Sequence, residues 1–547
     1  MTDPPRTEVG PAGVRWTAWI ALALVLAGVG LRVAAASRPG LWADEIFSLA
    51  LATGHSLEHP AAEADSAAGD FVEPRGARPP QAFRRYTLHE TPPAGPRRVV
   101  RAVLMSDTNP PFYYLLLNAW TRVLGTGDAA LRLFSTWWGV LALPLVWLLG
   151  RDLDGRETAW SAAVLFALSP MALYYSAEGR MYSLMWVLAL GLAWLTLRMS
   201  AYDGRPWHAA LWVLVGAGGL LTHYFFLFVW MGCLLWLWLS SPAADRRRVA
   251  AFGVATLLLV LPWYLEVPAS QARWRVSAGW LDGDLGWPEA LVRPLVLAGS
   301  LVSGRSYLGG WRHADAALGL LFGLLAILLA GRGRFRPLFS GSRWLLWAWV
   351  AAACLGPLAF DLLLHSTTTA VPRYALAGLP AAVLLVAVGL SRLPRALHVG
   401  WMIAVLLVWL PGIRRAAVPT VPRPSQPYRQ IVDRVEARLG PDDLVIVSSI
   451  PSGVIGVARY LESEIPMASW VPQLETREVE PDLRHLLAGR RRVALVKVTH
   501  LGANAPAEAW LRANARRLAR DEFGWSSADV QHFGPRQGDV FAFEAAD

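Results

Sequence analysis

Lysine is almost absent from this chain of 547 residues: Lys497 is the only one, so the formal net charge of +10 is carried by arginine. Cysteine is nearly absent too. Cys233 and Cys354 both lie inside apolar segments, which excludes a disulfide framework. No glycine fingerprint follows any stretch that reads as a strand, so no nucleotide is assigned. There is no His-x-x-x-His or carboxylate-rich ligand run, no recognisable nucleic-acid-binding module and no internal repeat. Charged residues make up only 17% of the chain against 54% hydrophobic residues and 28 Trp, and many apolar runs are long enough to cross a hydrocarbon core of ~30 Å. These features define a polytopic membrane protein.

Eleven spanning helices are expected, at about 17–36, 129–149, 159–176, 182–199, 208–222, 225–240, 249–266, 314–330, 344–364, 375–390 and 398–413. The run 16–36 is too long for a signal-peptide core and no clear cleavage site follows it, so it reads as a retained first helix. With this set, Arg6, Arg15, Arg151, Arg156, Arg198, Arg205, Arg246 to Arg248, Arg332, Arg334, Arg336, Arg343, Arg392 and Arg395 all fall on the N-terminal side. By the positive-inside rule that side is cytoplasmic. Residues 111–124 begin with a second proline and contain Arg122, and they read as an interfacial juxtamembrane helix with Tyr113, Tyr114 and Trp120 at the headgroup boundary.

Two outer loops are large, 37–128 and 267–313. Within the first, His55 to Arg101 is rich in proline, alanine and arginine, with acids mostly ahead of arginines and little periodicity, and reads as irregular. The second carries Arg273, Arg275, Arg293, Arg305 and Arg312 against the charge bias. After Pro411 the pattern becomes soluble: a helix at 429–439, strands at 444–448 and 493–498, a helix at 507–520 and a last strand at 540–544 describe a small extracytoplasmic α/β domain over 414–547.

The topology gathers short polar clusters on the outer face, as an enzyme working at one leaflet requires. Asp44 and Glu45 lie just past the first helix, and because adjacent helical residues point about 100° apart, only one of them need face a cavity. A carboxylate held there can act as a general base or help hold a divalent cation, although the pair could equally be two acids opening a helix. In Asp107-Thr108-Asn109-Pro110-Pro111, Asp107 or Asn109 caps the helix that carries Tyr113 and can also face a lipid headgroup. Tyr174, Glu178 and Tyr182 would share a face on a continuous helix, but Gly179 favours a turn presenting Glu178 and Arg180, which could be a mere surface ion pair. His223-Tyr224 splits an apolar run and marks a tight outer turn; a lone histidine there is more often a hydrogen-bonding group than a metal ligand. Asp361 and His365 share a face one turn apart and read as cavity lining. Arg373-Tyr374 opens a helix from outside, where a guanidinium suits a phosphate oxygen or anchors the interface.

Taken together these phrases resemble the C-superfamily of glycosyltransferases, in particular the polyprenyl-phosphate-sugar-dependent enzymes of glycosyltransferase family 39. The resemblance covers about 17–390 and rests on Trp-Ala-Asp-Glu at 42–45, Asp-x-Asn-Pro-Pro-Phe-Tyr-Tyr-Leu-Leu-Leu from Asp107, Ala-Leu-Arg-Leu-Phe-Ser at 130–135, Tyr-Ser-Ala-Glu-Gly-Arg-Met-Tyr-Ser-Leu from Tyr175, Thr-His-Tyr-Phe from Thr222 and Pro-Arg-Tyr at 372–374. It implies a helical bundle of the glycosyltransferase-C type in a bacterial plasma membrane, a lipid-phosphate sugar donor and an extracytoplasmic acceptor. It implies Asp44 as the base, Glu178 as an acid near the donor phosphate or a metal, and inversion in a single displacement. Asp44 and Glu178 are the candidate ligands for a divalent cation, Mg or Mn. Gly179 and Ala177 depart from the Gln-Glu-Ala-Arg phrase of relatives, and the 55–101 stretch is unfamiliar to the family. The competing readings are a lipid-linked glycan polymerase or ligase, a lipid or sugar transporter or flippase, and a membrane scaffold. The absence of midplane charge and of repeats weighs against transport.

Overall fold

The computed structural model describes residues 11–58, 61–106, 109–200, 205–274, 281–304, 312–330, 333, 335–418, 427–498, 506–523 and 528–543. Asp107 lies outside these residues. The chain forms two compact units, one of Met1–Ser37, Ser135–Val260 and Leu281–Val421, the other of Arg38–Phe134, Leu261–Trp280 and Pro422–Asp547.

The first unit is helical. Among the described residues seven helices are long and apolar enough to span a membrane, and eight if the bent pair Arg156–Leu168 and Pro170–Ser176 is one span. Helical segments coincide with the eleven expected spans, 159–176 as the bent pair, but three fall short of that criterion. Pro206–Leu220 and Phe226–Ser240 have 15 residues each, or ~22 Å at 1.5 Å per residue, because the His223-Tyr224 turn interrupts the run. The third, Arg312–Ala330, is apolar over Ala314–Leu325. One helix was not anticipated: Trp287–Ser303, whose Glu289, Arg293 and Pro294 hide its apolar face. It packs backbone to backbone on Arg312–Ala330, since a Cβ on Gly299 would fall 1.8 Å from the Asp315 carbonyl oxygen and one on Gly319 1.9 Å from that of Leu295.

The bent pair turns by 60° at Ser169–Pro170. Pro170 has no N–H to continue the ladder, and the Ser169 hydroxyl caps the second helix by accepting from Ala172 N–H at 3.3 Å. Carbonyls freed at the end of the first helix are taken by Arg32, fully buried, which donates to Phe166 O at 3.0 Å, Ala167 O at 2.5 Å and the Ser176 hydroxyl at 3.2 Å. Asp361 is buried at the end of its helix. It accepts from Ser366 Oγ and from the N–H and hydroxyl of both Thr368 and Thr369, capping the turn after its helix, while His365 is exposed in the left-handed region with φ 51°.

The second unit is built on a five-stranded sheet. Strands β1 (Leu444–Ser449), β2 (Met467–Trp470), β3 (Val493–Val498), β4 (Arg516–Phe523) and β5 (Ala528–Gly534) lie in the order β2-β1-β3-β5-β4. β1 is parallel to β2 and β3, and β5 antiparallel to β3 and β4. The expected helix 507–520 ends at Asn514, and β4 follows as a charged edge strand whose arginines and acids resemble a solvated helix face. The expected strand at 540–544 is absent over its described residues; Phe541 instead packs into the core beneath β1 and β3, and the last strand is β5.

The 55–101 stretch is ordered by the ion pairs its composition concealed. Asp70 receives both Arg101 nitrogens at 2.6 and 2.8 Å, and Glu90 both Arg98 nitrogens at 2.5 and 2.9 Å. Glu73 is buried against the sheet, accepting from Ser469 Oγ and Val471 N–H, each at 2.9 Å, and Arg78 bridges antiparallel to Met467. Tyr113 and Tyr114, expected at the headgroup boundary, are instead wholly buried in the helix Phe112–Leu124, with Tyr113 packed on Phe134.

His55 makes this loop pH-sensitive. It is buried beside Thr53, Glu90 and the Tyr86 ring, and burial pulls its imidazole from 6.5 down to about 4 despite the raising effect of Glu90. The folded loop therefore binds fewer protons than the unfolded one, and its stability, full above pH 6.5, is lost as pH falls from 6.5 towards 4. Amide protection factors across 50–58 and 61–106, corrected for the pH dependence of intrinsic exchange, should fall at pH 5 relative to pH 7.5 in the wild type and change less in His55→Gln. Equal loss of protection in both would remove the assignment.

Candidate active site

In the first unit three turns converge. The turn 177–181 between Pro170–Ser176 and Tyr182–Ser200 carries Glu178 and Arg180, both buried. It is held from below: Ser135 Oγ donates to Arg180 O at 2.9 Å, Thr136 Oγ1 to Ser176 O at 3.2 Å and Arg180 N–H to Glu178 O at 2.7 Å. The second turn carries His223 and Tyr224. The third is the 3₁₀ segment Pro372–Gly378 with Arg373 and Tyr374, whose carbonyls at Leu376 and Ala377 accept from the indoles of Trp186 and Trp349 at 2.7 and 2.8 Å.

The aromatic rings join these turns. His223 lies 6.1 Å from Tyr182 and 6.2 Å from Tyr374, centroid to centroid, and Tyr374 stacks on Phe225 at 4.8 Å. Tyr175 lies within electrostatic reach of Glu178, Tyr182 and Arg373. Tyr224 is half-buried beside His223. His223 is pulled down to about 3, first by burial and then by Arg180 and Arg373, so it is neutral at physiological pH. Its Nδ1 accepts from Phe225 N–H at 3.1 Å, which leaves the proton on Nε2. The cluster thus combines two guanidinium groups, a neutral imidazole donor and tyrosines in a water-poor setting. Such a set binds an anionic oxygen strongly, because electrostatic interactions gain strength where water is excluded.

In the second unit, Asp44 and Glu45 open the helix Ala43–Ala52, where the helix dipole favours anions. Their fates differ. Glu45 is 0% exposed and is gripped by Arg132, Nε to Oε1 at 2.7 Å and Nη2 to Oε2 at 2.5 Å. It also accepts Trp42 N–H at 3.2 Å, which ties it to the start of its own helix. Asp44 is half-buried and close enough to Tyr428 for its charge to be felt. Burial first, then Asp44 and Tyr460, push the Tyr428 phenol well up, so it stays a neutral donor. Asn109 is buried at the start of its helix, and Tyr113 is a core residue.

The sequence reading did not single out Arg132, Arg32, Tyr175 or Tyr428. An arginine inside an apolar run, as at 32 and 132, was the available signal. Among the described residues no group of three or more His, Cys, Asp or Glu could hold a metal ion.

The first unit thus carries an arginine- and tyrosine-lined cluster on a helical bundle, and the second unit an acid-bearing helix. Residues 108–265 match the family described as dolichyl-phosphate-mannose-protein mannosyltransferase. Among solved structures the chain is similar to apo ArnT from Cupriavidus metallidurans, with a TM-score of 0.54 and 13% identity over 95% of this chain and 98% of that one. It is likewise similar to the same protein bound to undecaprenyl phosphate, with a TM-score of 0.51 and 14% identity over 96% and 98%. No curated protein matches the sequence. The chain has the glycosyltransferase-C fold, and 108–265 carry the mannosyltransferase family's sequence pattern.

Proposed function

We propose that the chain transfers a sugar from a polyprenyl-phosphate-linked donor to an extracytoplasmic acceptor hydroxyl or phosphate on a lipid, glycan or protein. The membrane is a bacterial plasma membrane, with the N-terminus in the cytoplasm and the C-terminal domain outside. The observation that carries this reading is the cluster of buried Arg180 and neutral His223 with half-buried Arg373, among Tyr175, Tyr182 and half-buried Tyr374. It suits a lipid phosphate, the group that the solved ArnT relative holds as undecaprenyl phosphate.

The chemistry follows from what such a donor needs. The bond from the anomeric carbon to the phosphate oxygen breaks, and the acceptor oxygen forms the new bond on the opposite face, which inverts the centre. The acceptor's proton goes to Asp44 as general base. The leaving phosphate needs positive charge rather than a proton, and Arg180, Arg373 and the Nε2–H of His223 supply it. Glu178 is the acid near the donor phosphate, in the same turn as Arg180, and Glu45 with Arg132 holds the start of the helix of Asp44.

The test is incubation of purified protein with labelled polyprenyl-phosphate sugars and membrane acceptors. Label leaving the lipid for an acceptor supports the proposal; donor moved across a bilayer without transfer would make the chain a flippase. Transfer in EDTA compared with transfer in Mg or Mn tests the divalent cation: activity lost in EDTA and restored by either ion would assign one to the reaction, and equal transfer would exclude it.

A further inference from the structure

The start of the Asp44 helix is tied to the C-terminal part of the second unit. Helix Pro451–Tyr460 packs against Tyr428–Glu436, β1 and Ala43–Ala52. Gly456 makes room for this: a Cβ there would fall 2.6 Å from the Tyr428 ring. The last two residues of the helix converge on Asp128. Arg459 donates from Nε and Nη2 to Asp128 Oδ1 at 3.0 and 2.9 Å, and also to Thr126 O and the Thr87 hydroxyl. The Tyr460 hydroxyl donates to Asp128 Oδ2 at 2.7 Å and accepts Leu41 N–H at 2.7 Å.

Asp128 Oδ2 also accepts Gly40 N–H at 3.1 Å, and Arg132 donates to Gly40 O and Arg38 O, each at 2.6 Å. The backbone at 38–41, just ahead of Asp44, is thus held by side chains from two sides. One of the two anchors is the C-terminal domain.

We propose that Tyr460 and Arg459 are positioning residues for glycosyl transfer, holding through Asp128 and Leu41 the backbone that aims Asp44 at the acceptor. This rests on Asp44 as the base. Positioning matters because a displacement of about 1 Å in a reacting group can cost roughly 10²-fold in rate. It also assigns the C-terminal domain a part in catalysis.

The test uses full-length protein in the donor assay with Tyr460→Phe, Arg459→Gln, Asp44→Asn and Asp44→Glu. Exposed Arg484, on helix Val479–Leu487, serves as a control through Arg484→Gln. Tyr460→Phe and Arg459→Gln should each lower kcat by roughly 10- to 100-fold with KM within about twofold and the melting temperature held, and Arg484→Gln should match wild type. In Asp44→Glu, whose carboxylate is already displaced, Tyr460→Phe should add little, because residues acting as a unit are not additive. Wild-type kcat in both variants while Asp44→Asn is inactive would overturn the inference. So would equal losses from Tyr460→Phe in the wild-type and Asp44→Glu backgrounds, which would mark a purely structural role. A fully active Asp44→Asn would instead remove the reading of Asp44 itself, and with it this inference, whatever Tyr460→Phe does.

Discussion

Asp44→Asn should reduce sugar transfer by roughly 10²- to 10⁴-fold, the usual contribution of a positioned general base, with little change in donor KM. The amide keeps the volume and the helix start but cannot take the acceptor's proton. Donor binding should persist because the anion-binding groups Arg180, His223 and Arg373 are untouched. Glu45→Gln offers the contrast. Its parent is buried and bound at both oxygens by Arg132, so the loss in that variant should come with lower thermal stability rather than at constant stability. A matched pair of melting curves and initial rates separates the two acids. Equal behaviour of the two variants would contradict the division of labour between them.

Arg132→Met should be among the most destabilising single substitutions in the second unit. It strands Glu45, fully buried, without its guanidinium, and breaking a buried pair from one side typically costs ~3–5 kcal/mol. It also removes the donors to Arg38 O and Gly40 O. The double variant Glu45→Leu/Arg132→Met should recover part of the loss, since replacing both partners by apolar groups leaves no buried charge unpaired. Thermal unfolding in detergent, read by retention of folded protein, checks both. If Arg132→Met melts with the wild type, the pair is not the lock that its geometry describes.

Much of this was legible in the chain because membrane spans and strands depend on short-range patterning. The apolar runs located every expected helix, and β1 and β3 appeared where continuous aliphatic runs placed them. What failed was decided by neighbours distant in sequence. β4 carries Arg516, Arg517, Arg520, Asp521 and Glu522, and became a strand through pairing with β5. The ordering of 55–101 was hidden because its acids and arginines are separated by 8 to 31 positions along the chain before they pair. Motif order led to Asp44, Glu178, Arg180, His223 and Arg373 as candidates, of which the structure brings Arg180, His223 and Arg373 together within the first unit, whereas the different surroundings of Asp44 and Glu45 depended on the position of Arg132. Arg32 escaped notice because its partners are carbonyls exposed only by the break at Ser169–Pro170.

The most direct measurement of the central claim is a stoichiometry. Purified protein in proteoliposomes, given a labelled polyprenyl-phosphate sugar and an acceptor fraction, should release one polyprenyl phosphate for every sugar transferred, with the anomeric configuration inverted. Donor that crosses the bilayer intact, with no polyprenyl phosphate released, would contradict the account.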